Sequence, residues 1–310
     1  MVQRLPVNIV SEVKKLPPTP RLTNLYSKVI LEGEEQFSTV TIEATAPPAV
    51  VIDYPEPGAC RVTLRALLNM YPGPLYVQDG ILREVTVEPG EGQVTFNITL
   101  DEAVRATLTA VKGIPYRVVL RFSRRPLQEF YRDKVIILDP GHGGTDGGWR
   151  GPVNLWERDM AWKTALELAR VLEGFKARVI WTRAEEENPS WEERLLKVTP
   201  ATFCFISVHE HGAADAGQRG TAVLYNPTSR GNEELAAKVL ERIVARVKTP
   251  VRGIKADEEL ARLGEVPGLR LEPVAITSWV DEGLLRNPYF HQKVALATAV
   301  AIKQHFRRGK

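Results

Sequence analysis

The sequence predicts two units of different class: an all-β, sandwich-like domain over residues 23–123, then an α/β domain over residues 134–310. The second is expected to hold a mixed, mostly parallel sheet with helices on both faces. Three observations point this way. Seven short runs rich in β-branched and aromatic residues, divided by Pro and Gly turns, fill the first part of the chain. Beyond residue 134, continuous apolar runs alternate with segments of helical period, the pattern of a sheet covered on both faces. A chain of 310 residues is also long enough to bury two cores.

Residues 1–22 read as an N-terminal extension without the apolar core of a signal peptide. The β-rich part follows as KVILEG, STVTIEAT, AVVIDY, CRVTLRA, REVTVEP, QVTFNITL and YRVVLRF. Val94, Phe96, Ile98 and Leu100 alternate with polar neighbours, as a half-buried strand requires. Such a series of short strands predicts a sandwich. Residues 124–133 read as a linker, because their charge and single proline interrupt both patterns.

The α/β part opens with Val135, Ile136, Ile137 and Leu138, a run suited to a strand covered on both faces. Asp139 and Pro140 end it, and His142 follows among Gly141, Gly143 and Gly144, where the backbone can come close to whatever the imidazole holds. Ala161, Ala165, Leu168 and Leu172 predict a helix over 157–173, with Glu157 in its first turn, where a carboxylate suits the helix dipole. FCFISV predicts a second buried strand ending at His209, with Cys204 inside it as a small buried hydrophobe. Further helices are expected over 232–248 and 290–306.

Groups at the carboxyl ends of strands converge in an α/β fold, because its sites gather at that edge of the sheet. His142, Glu157 and His209 therefore form a candidate metal centre. Two imidazoles and one carboxylate suit catalytic zinc, which keeps a fourth position open. The two cysteines, Cys60 and Cys204, have no metal-ligand spacing, and a disulfide between them would have to join two domains.

These motifs resemble, over about 134–306, the zinc-dependent N-acetylmuramoyl-L-alanine amidases of bacterial cell walls. The resemblance is carried by DPGHGG at 139–144, Asp146, Gly148, Glu157-Arg158-Asp159, Thr182-Arg183, Arg194, FISVH at 205–209, RGIK at 252–255 and GLLRNP at 283–288. It implies one zinc ion per chain on His142, Glu157 and His209. It also implies hydrolysis of the amide between N-acetylmuramic acid and the L-alanine of the peptidoglycan stem peptide. Arg183 and Arg194 are as well suited to a structural role as to a catalytic one.

The pattern departs from the family at two places. Members carry a catalytic glutamate two residues before the glycine of the last motif, and here that residue is Asp281. The segment 273–283 is also about three residues longer than usual, so counting from Pro273 puts Ser278 at that position. Asp281 fits by register and Glu282 by chemistry. On an extended segment the two would face opposite ways, so one at most can serve as general base. The second departure is His211, where the family has asparagine. It lies on the same side of an extended segment as His209 and is a candidate for binding substrate, carrying a proton or ligating the metal, whereas Glu210 should point away into solvent.

The same resemblance extends weakly to the β domain, which is similar in layout to the AMIN domains that target some of these enzymes to the envelope. An envelope polymer or protein is the partner it implies, with action at the cell wall, outside the cell or in the periplasm. The alternative is a catalytically impaired amidase fold that binds peptidoglycan or regulates. A serine hydrolase built on Ser207 and His209 lacks the G-x-S-x-G elbow, and the glycine turn lacks the lysine of a phosphate-binding loop. A net charge of +3 without a basic cluster gives no footprint for nucleic acid. No apolar run approaches the roughly 18 residues of a membrane span.

Overall fold

The computed structural model describes residues 19–307. Most of the expected N-terminal extension and residues 308–310 lie outside the described residues.

The β part is formed by β1 (Arg21–Glu32), β2 (Glu35–Ala44), β3 (Ala49–Asp53), β4 (Ala59–Arg65), β5 (Leu67–Leu68), β6 (Leu75–Tyr76), β7 (Leu82–Gly90), β8 (Gln93–Leu100), β9 (Ala106–Val111) and β10 (Tyr116–Ser123). They make two largely antiparallel sheets, ordered β5-β1-β2-β10-β9 and β3-β4-β8-β7-β6. Val94, Phe96, Ile98 and Leu100 of β8 all point into the core between them, as their alternation requires.

The segment expected as a linker is instead helix α1 (Arg125–Tyr131). Pro126 sits in its first turn, where a missing N–H costs nothing. Leu127 and Tyr131 are buried, and the Tyr131 hydroxyl donates to the Ala299 carbonyl. Arg124, beside the helix, is buried against Asp79 at 3.1 Å and donates to Ser38. Lys303 and Arg307 pair with Glu102 of the β part. One apolar cluster runs from Val40, Phe96 and Phe122 through Leu127 and Tyr131 to Ala299 and Ile302, so the two parts share a core.

The α/β part follows as β11 (Val135–Pro140), α2 (Glu157–Gly174), β12 (Arg178–Trp181), α3 (Trp191–Leu195), β13 (Thr202–Val208), β14 (Thr221–Tyr225), α4 (Asn232–Val247), β15 (Val251–Ala256), α5 (Glu258–Ala261), β16 (Gly268–Glu272), α6 (Trp279–Leu285) and α7 (Pro288–Arg307). The sheet order is β12-β11-β13-β16-β14-β15, parallel except where β14 meets β16. Alternate residues of the central strands serve two layers. Ile136, Leu138, Cys204 and Ile206 join the main core with α2, α4 and α7, while Ile137 and Phe205 pack with Leu260 and Leu263 on the other face. The chain leaves β11 for β12 on one side and β13 lies on the other, which opens a crevice at their carboxyl ends.

Asp281 and Glu282 do not lie on a strand. The longer segment after Pro273 folds into α6, with Ser278 as N-cap, and both carboxylates fall in its first turn. Their side chains therefore diverge by about one helical step instead of facing opposite ways.

Candidate metal centre

Parallel pairing of β11 with β13 brings Pro140 opposite Val208, so the residues that leave both strands emerge together at one edge. His142 and His209 are those residues. The chain between them returns through a loop that delivers Glu157 to the start of α2, under the same crevice. His142 adopts φ 59°, a left-handed conformation uncommon outside glycine, which directs its ring back over the crevice.

Nitrogen and oxygen atoms of His142, Glu157 and His209 all lie within 4.8 Å of one another. Glu157 is buried, and its two oxygens face one imidazole each: His142 Nε2 at 3.0 Å and His209 Nδ1 at 2.9 Å. The backbone N–H groups of Trp149 and Glu210 donate to the same two oxygens at 3.1 and 3.2 Å. Burial acts to raise the Glu157 carboxyl, but the two imidazoles outweigh it and hold the group far below the usual carboxylate range. Burial likewise acts to lower His142, and Glu157 with Asp146 turns the balance upward. Asp146 lies 2.9 Å from His142 Nδ1 and so fixes the ring with Nε2 toward the centre.

The glycines around the cluster are a fitted cradle. A Cβ on Gly148, at φ 64°, would lie 2.6 Å from His142 and 2.7 Å from Glu157 Oε2, and one on Gly141 would enter the His209 ring. Two imidazoles and one ionised carboxylate, closely packed with backbone room only for glycine, suit a divalent ion. These residues could hold a metal ion.

The surrounding charges are mostly structural. Asp139 accepts from Thr182 Oγ1, Arg194 Nη1 and Ser207 Oγ at 2.7, 2.8 and 2.7 Å. That use of a fully buried Ser207 leaves the serine-hydrolase idea without a nucleophile. Arg183 donates to the carbonyls of Pro140, Gly141, Ala184 and Glu185, and Arg194 to those of Pro140, His142 and Pro189. Both arginines thus shape the glycine turn. Cys60 and Cys204 are free and buried, their thiols pushed up by burial to about 11 and about 12.

Asp281 is fully buried and accepts from Arg219 Nε at 3.1 Å, Gly220 N at 2.7 Å and Ala275 N at 3.1 Å. Glu282 is equally buried and accepts from Val153 N at 2.6 Å and Leu155 N at 2.9 Å, with Arg286 at 3.4 Å. His211 is half-buried, with Nε2 at 3.1 Å from Gln218 and Nδ1 at 3.4 Å from Glu272. Glu210 does not point into solvent. It is buried, one oxygen accepts from Val274 N, and burial followed by the charges of Glu157, Glu272 and Asp281 pushes its carboxyl well above the usual range. The segment after β16 runs alongside 209–211, with His211 bridged to Ala275, and covers it, which strand alternation could not reveal. Asp146 meets the His142 ring from four residues along the glycine turn, and that spacing was its signal in the sequence.

Residues 136–304 match the family model described as N-acetylmuramoyl-L-alanine amidase. The probable cell wall amidase LytH of Staphylococcus epidermidis is 29% identical over 178 residues, which are 56% of this chain and 59% of that protein. The chain thus spans somewhat over half the length of that relative. Among solved structures, an N-acetylmuramoyl-L-alanine amidase from Clostridium difficile 630 aligns with a TM-score of 0.54 at 24% identity, covering 58% of this chain and all of its own. The amidase AmiC2 of Nostoc punctiforme aligns with a TM-score of 0.52 at 23% identity, covering 56% of this chain and 98% of its own. These two likenesses are likenesses of fold.

Proposed function

The chain belongs to the N-acetylmuramoyl-L-alanine amidase family, and from that premise we propose that it is a zinc-dependent peptidoglycan hydrolase. The bond cut joins the lactyl group of N-acetylmuramic acid to L-alanine of the stem peptide. The observation that carries this reading is the convergence of His142, Glu157 and His209, from three separate elements, within 4.8 Å at one sheet edge.

Those three residues would hold zinc with a fourth position left for water or substrate. When bound, the ion supplies Lewis-acid polarisation of the amide carbonyl and a water acidic enough to attack near neutral pH. The chain supplies the rest. Asp146 keeps a proton on His142 Nδ1 and so presents the Nε2 lone pair. Trp149 N–H and Glu210 N–H orient the Glu157 carboxylate. We assign Asp281 and Glu282 to positioning, because each carboxylate is buried and already accepts from two backbone N–H groups. That leaves His211 to take the proton of the attacking water and return it to the departing amine as the C–N bond breaks, braced by Glu272 and, behind it, Arg252 at 2.8 Å.

We assign the β sandwich to an envelope polymer or protein, in the manner of an AMIN domain; its shared core with the amidase part supports action as one body. The site of action is then the cell wall. Among the described residues no helix is long and apolar enough to cross a membrane.

The test uses protein stripped by a chelator and purified peptidoglycan. One equivalent of zinc restores release of new L-alanine amino termini if the proposal holds. Stoichiometric zinc without release defeats it and leaves a wall-binding module.

A further inference from the structure

Beside the metal centre lies an apolar rim that the reaction as described does not use. Trp149, whose backbone N–H donates to Glu157, has an indole that is 49% exposed. Its ring packs against the backbone of Gly212, where a Cβ would lie 1.9–2.1 Å from ring atoms, so only glycine leaves room for the indole there. The next residue, Ala213, donates to Thr277 Oγ1 at 3.2 Å, which ties this surface to the start of α6. There Trp279 and Val280 are 65% and 54% exposed. Val153, 45% exposed, borders the same helix through the hydrogen bond from its N–H to Glu282. Exposed indoles grouped around a site mark a binding surface, since isolated apolar groups on a surface are ordinary but a contiguous set costs solubility.

The lining around the centre is divided. On one flank a cleft of about 210 Å³ is lined by His142 and His209 together with Asn188, Arg194, Glu259 and Arg270. The arginines of both flanks are paired, Arg194 with Asp139 and Arg270 with Asp257 and Glu259 on the first, Arg219 with Asp281, Arg286 with Glu282 and Arg150 with Asn154 on the Trp149 flank, so the two flanks differ as polar surface against apolar. The amidase substrate is divided in the same way. Its peptide half keeps free carboxylates, whereas its sugar half is uncharged once the lactyl carboxyl is bound in the amide, and a pyranose ring has an apolar C–H face. We propose that Trp149 and Trp279 form a platform for the N-acetylated sugar of the glycan strand, which leaves the ionisable cleft to the stem peptide. This rests on the amidase reading for the identity of the substrate. Asp281 and Glu282 hold the platform together, because Glu282 ties the 153–155 loop to α6 and Asp281 ties α6 to Gly220 and Ala275.

The test is calorimetric titration of the full-length protein with chitotetraose, an uncharged N-acetylated saccharide, alongside KM and kcat on purified peptidoglycan. Trp149→Ala and Trp279→Ala are expected each to weaken chitotetraose binding at least fivefold and to raise KM, and for Trp279→Ala, which does not touch the metal centre, kcat changes little. Trp149→Phe keeps part of the affinity, and Tyr71→Ala, on an exposed residue of the β part, leaves it unchanged. Absence of saturable binding by the parent protein, or equal binding by both alanine variants, overturns the platform. So does a double variant that loses concentration-dependent self-association while keeping its saccharide affinity, which assigns the rim to a second copy of the chain. Binding needs no turnover: saccharide bound without hydrolysis overturns the amidase reading alone, and hydrolysis without saccharide binding overturns the platform alone.

Discussion

Replacement of Glu282 by glutamine separates an anchoring carboxylate from a catalytic one. In the structure both oxygens of this fully buried side chain are taken, by Val153 N at 2.6 Å and Leu155 N at 2.9 Å. Glutamine keeps one acceptor and turns an NH2 group toward the other backbone N–H, which loses its partner. A hydrogen bond to a charged group contributes about 1.5–3 kcal/mol, and orphaning its buried donor costs about 1–3 kcal/mol. The Arg286 contact adds little, since that side chain is 45% exposed. Glu282→Gln should therefore destabilise the protein by about 3 kcal/mol. At roughly 2–4 °C per kcal/mol for a chain of a few hundred residues, the melting temperature falls by roughly 6–12 °C. Thermal unfolding followed by circular dichroism reads the shift, and metal analysis together with amino-terminus release at 20 °C reads the site. The expected result is a lower melting temperature, unchanged metal content and a turnover reduced less than about tenfold. An unshifted melting temperature with turnover lost by about 100-fold or more would refute the anchor and make Glu282 the general base.

Two further outcomes are expected. Asp146→Asn, which weakens the group that orients His142 at 2.9 Å, should lower zinc affinity by about 10–100-fold in competition with a chelator, and an unchanged affinity would remove Asp146 from the centre. His291, away from the metal, is buried between Thr164 Oγ1 at 2.7 Å and the Leu285 carbonyl at 2.9 Å, and burial lowers its pKa. Because the folded pKa lies below the unfolded one, the unfolded state binds more protons in the interval between them. Stability is therefore full above about pH 6.5 and is lost as the pH falls from there toward the folded value. Denaturant titrations at pH 7.5 and 5.5 should show this loss in the parent protein and a smaller one in His291→Gln, and equal losses would assign the acid sensitivity elsewhere.

The sequence by itself determined the class of both parts and the metal-ligand candidates. The buried strands β11 and β13 were legible as apolar runs, and the parallel crossover implied by the helix between strand runs brings their ends to one edge. Each candidate ligand therefore carried a local signature: His142 its glycines, Glu157 a helix start, His209 a strand end. What only the tertiary structure decided depends on partners far along the chain. The 124–133 segment is a helix because Leu127 and Tyr131 find a shared core, and charge with one proline does not forbid that. Glu210 is buried because the segment after β16 continues alongside 209–211 and covers it, which the period of two cannot register. Asp281 and Glu282 lie on a helix instead of a strand, and their oxygens are taken by backbone N–H groups as far off as Val153, 129 residues away. A carboxylate's role follows from which donors reach it, and for buried groups those donors are set by packing between distant segments rather than by neighbouring residues.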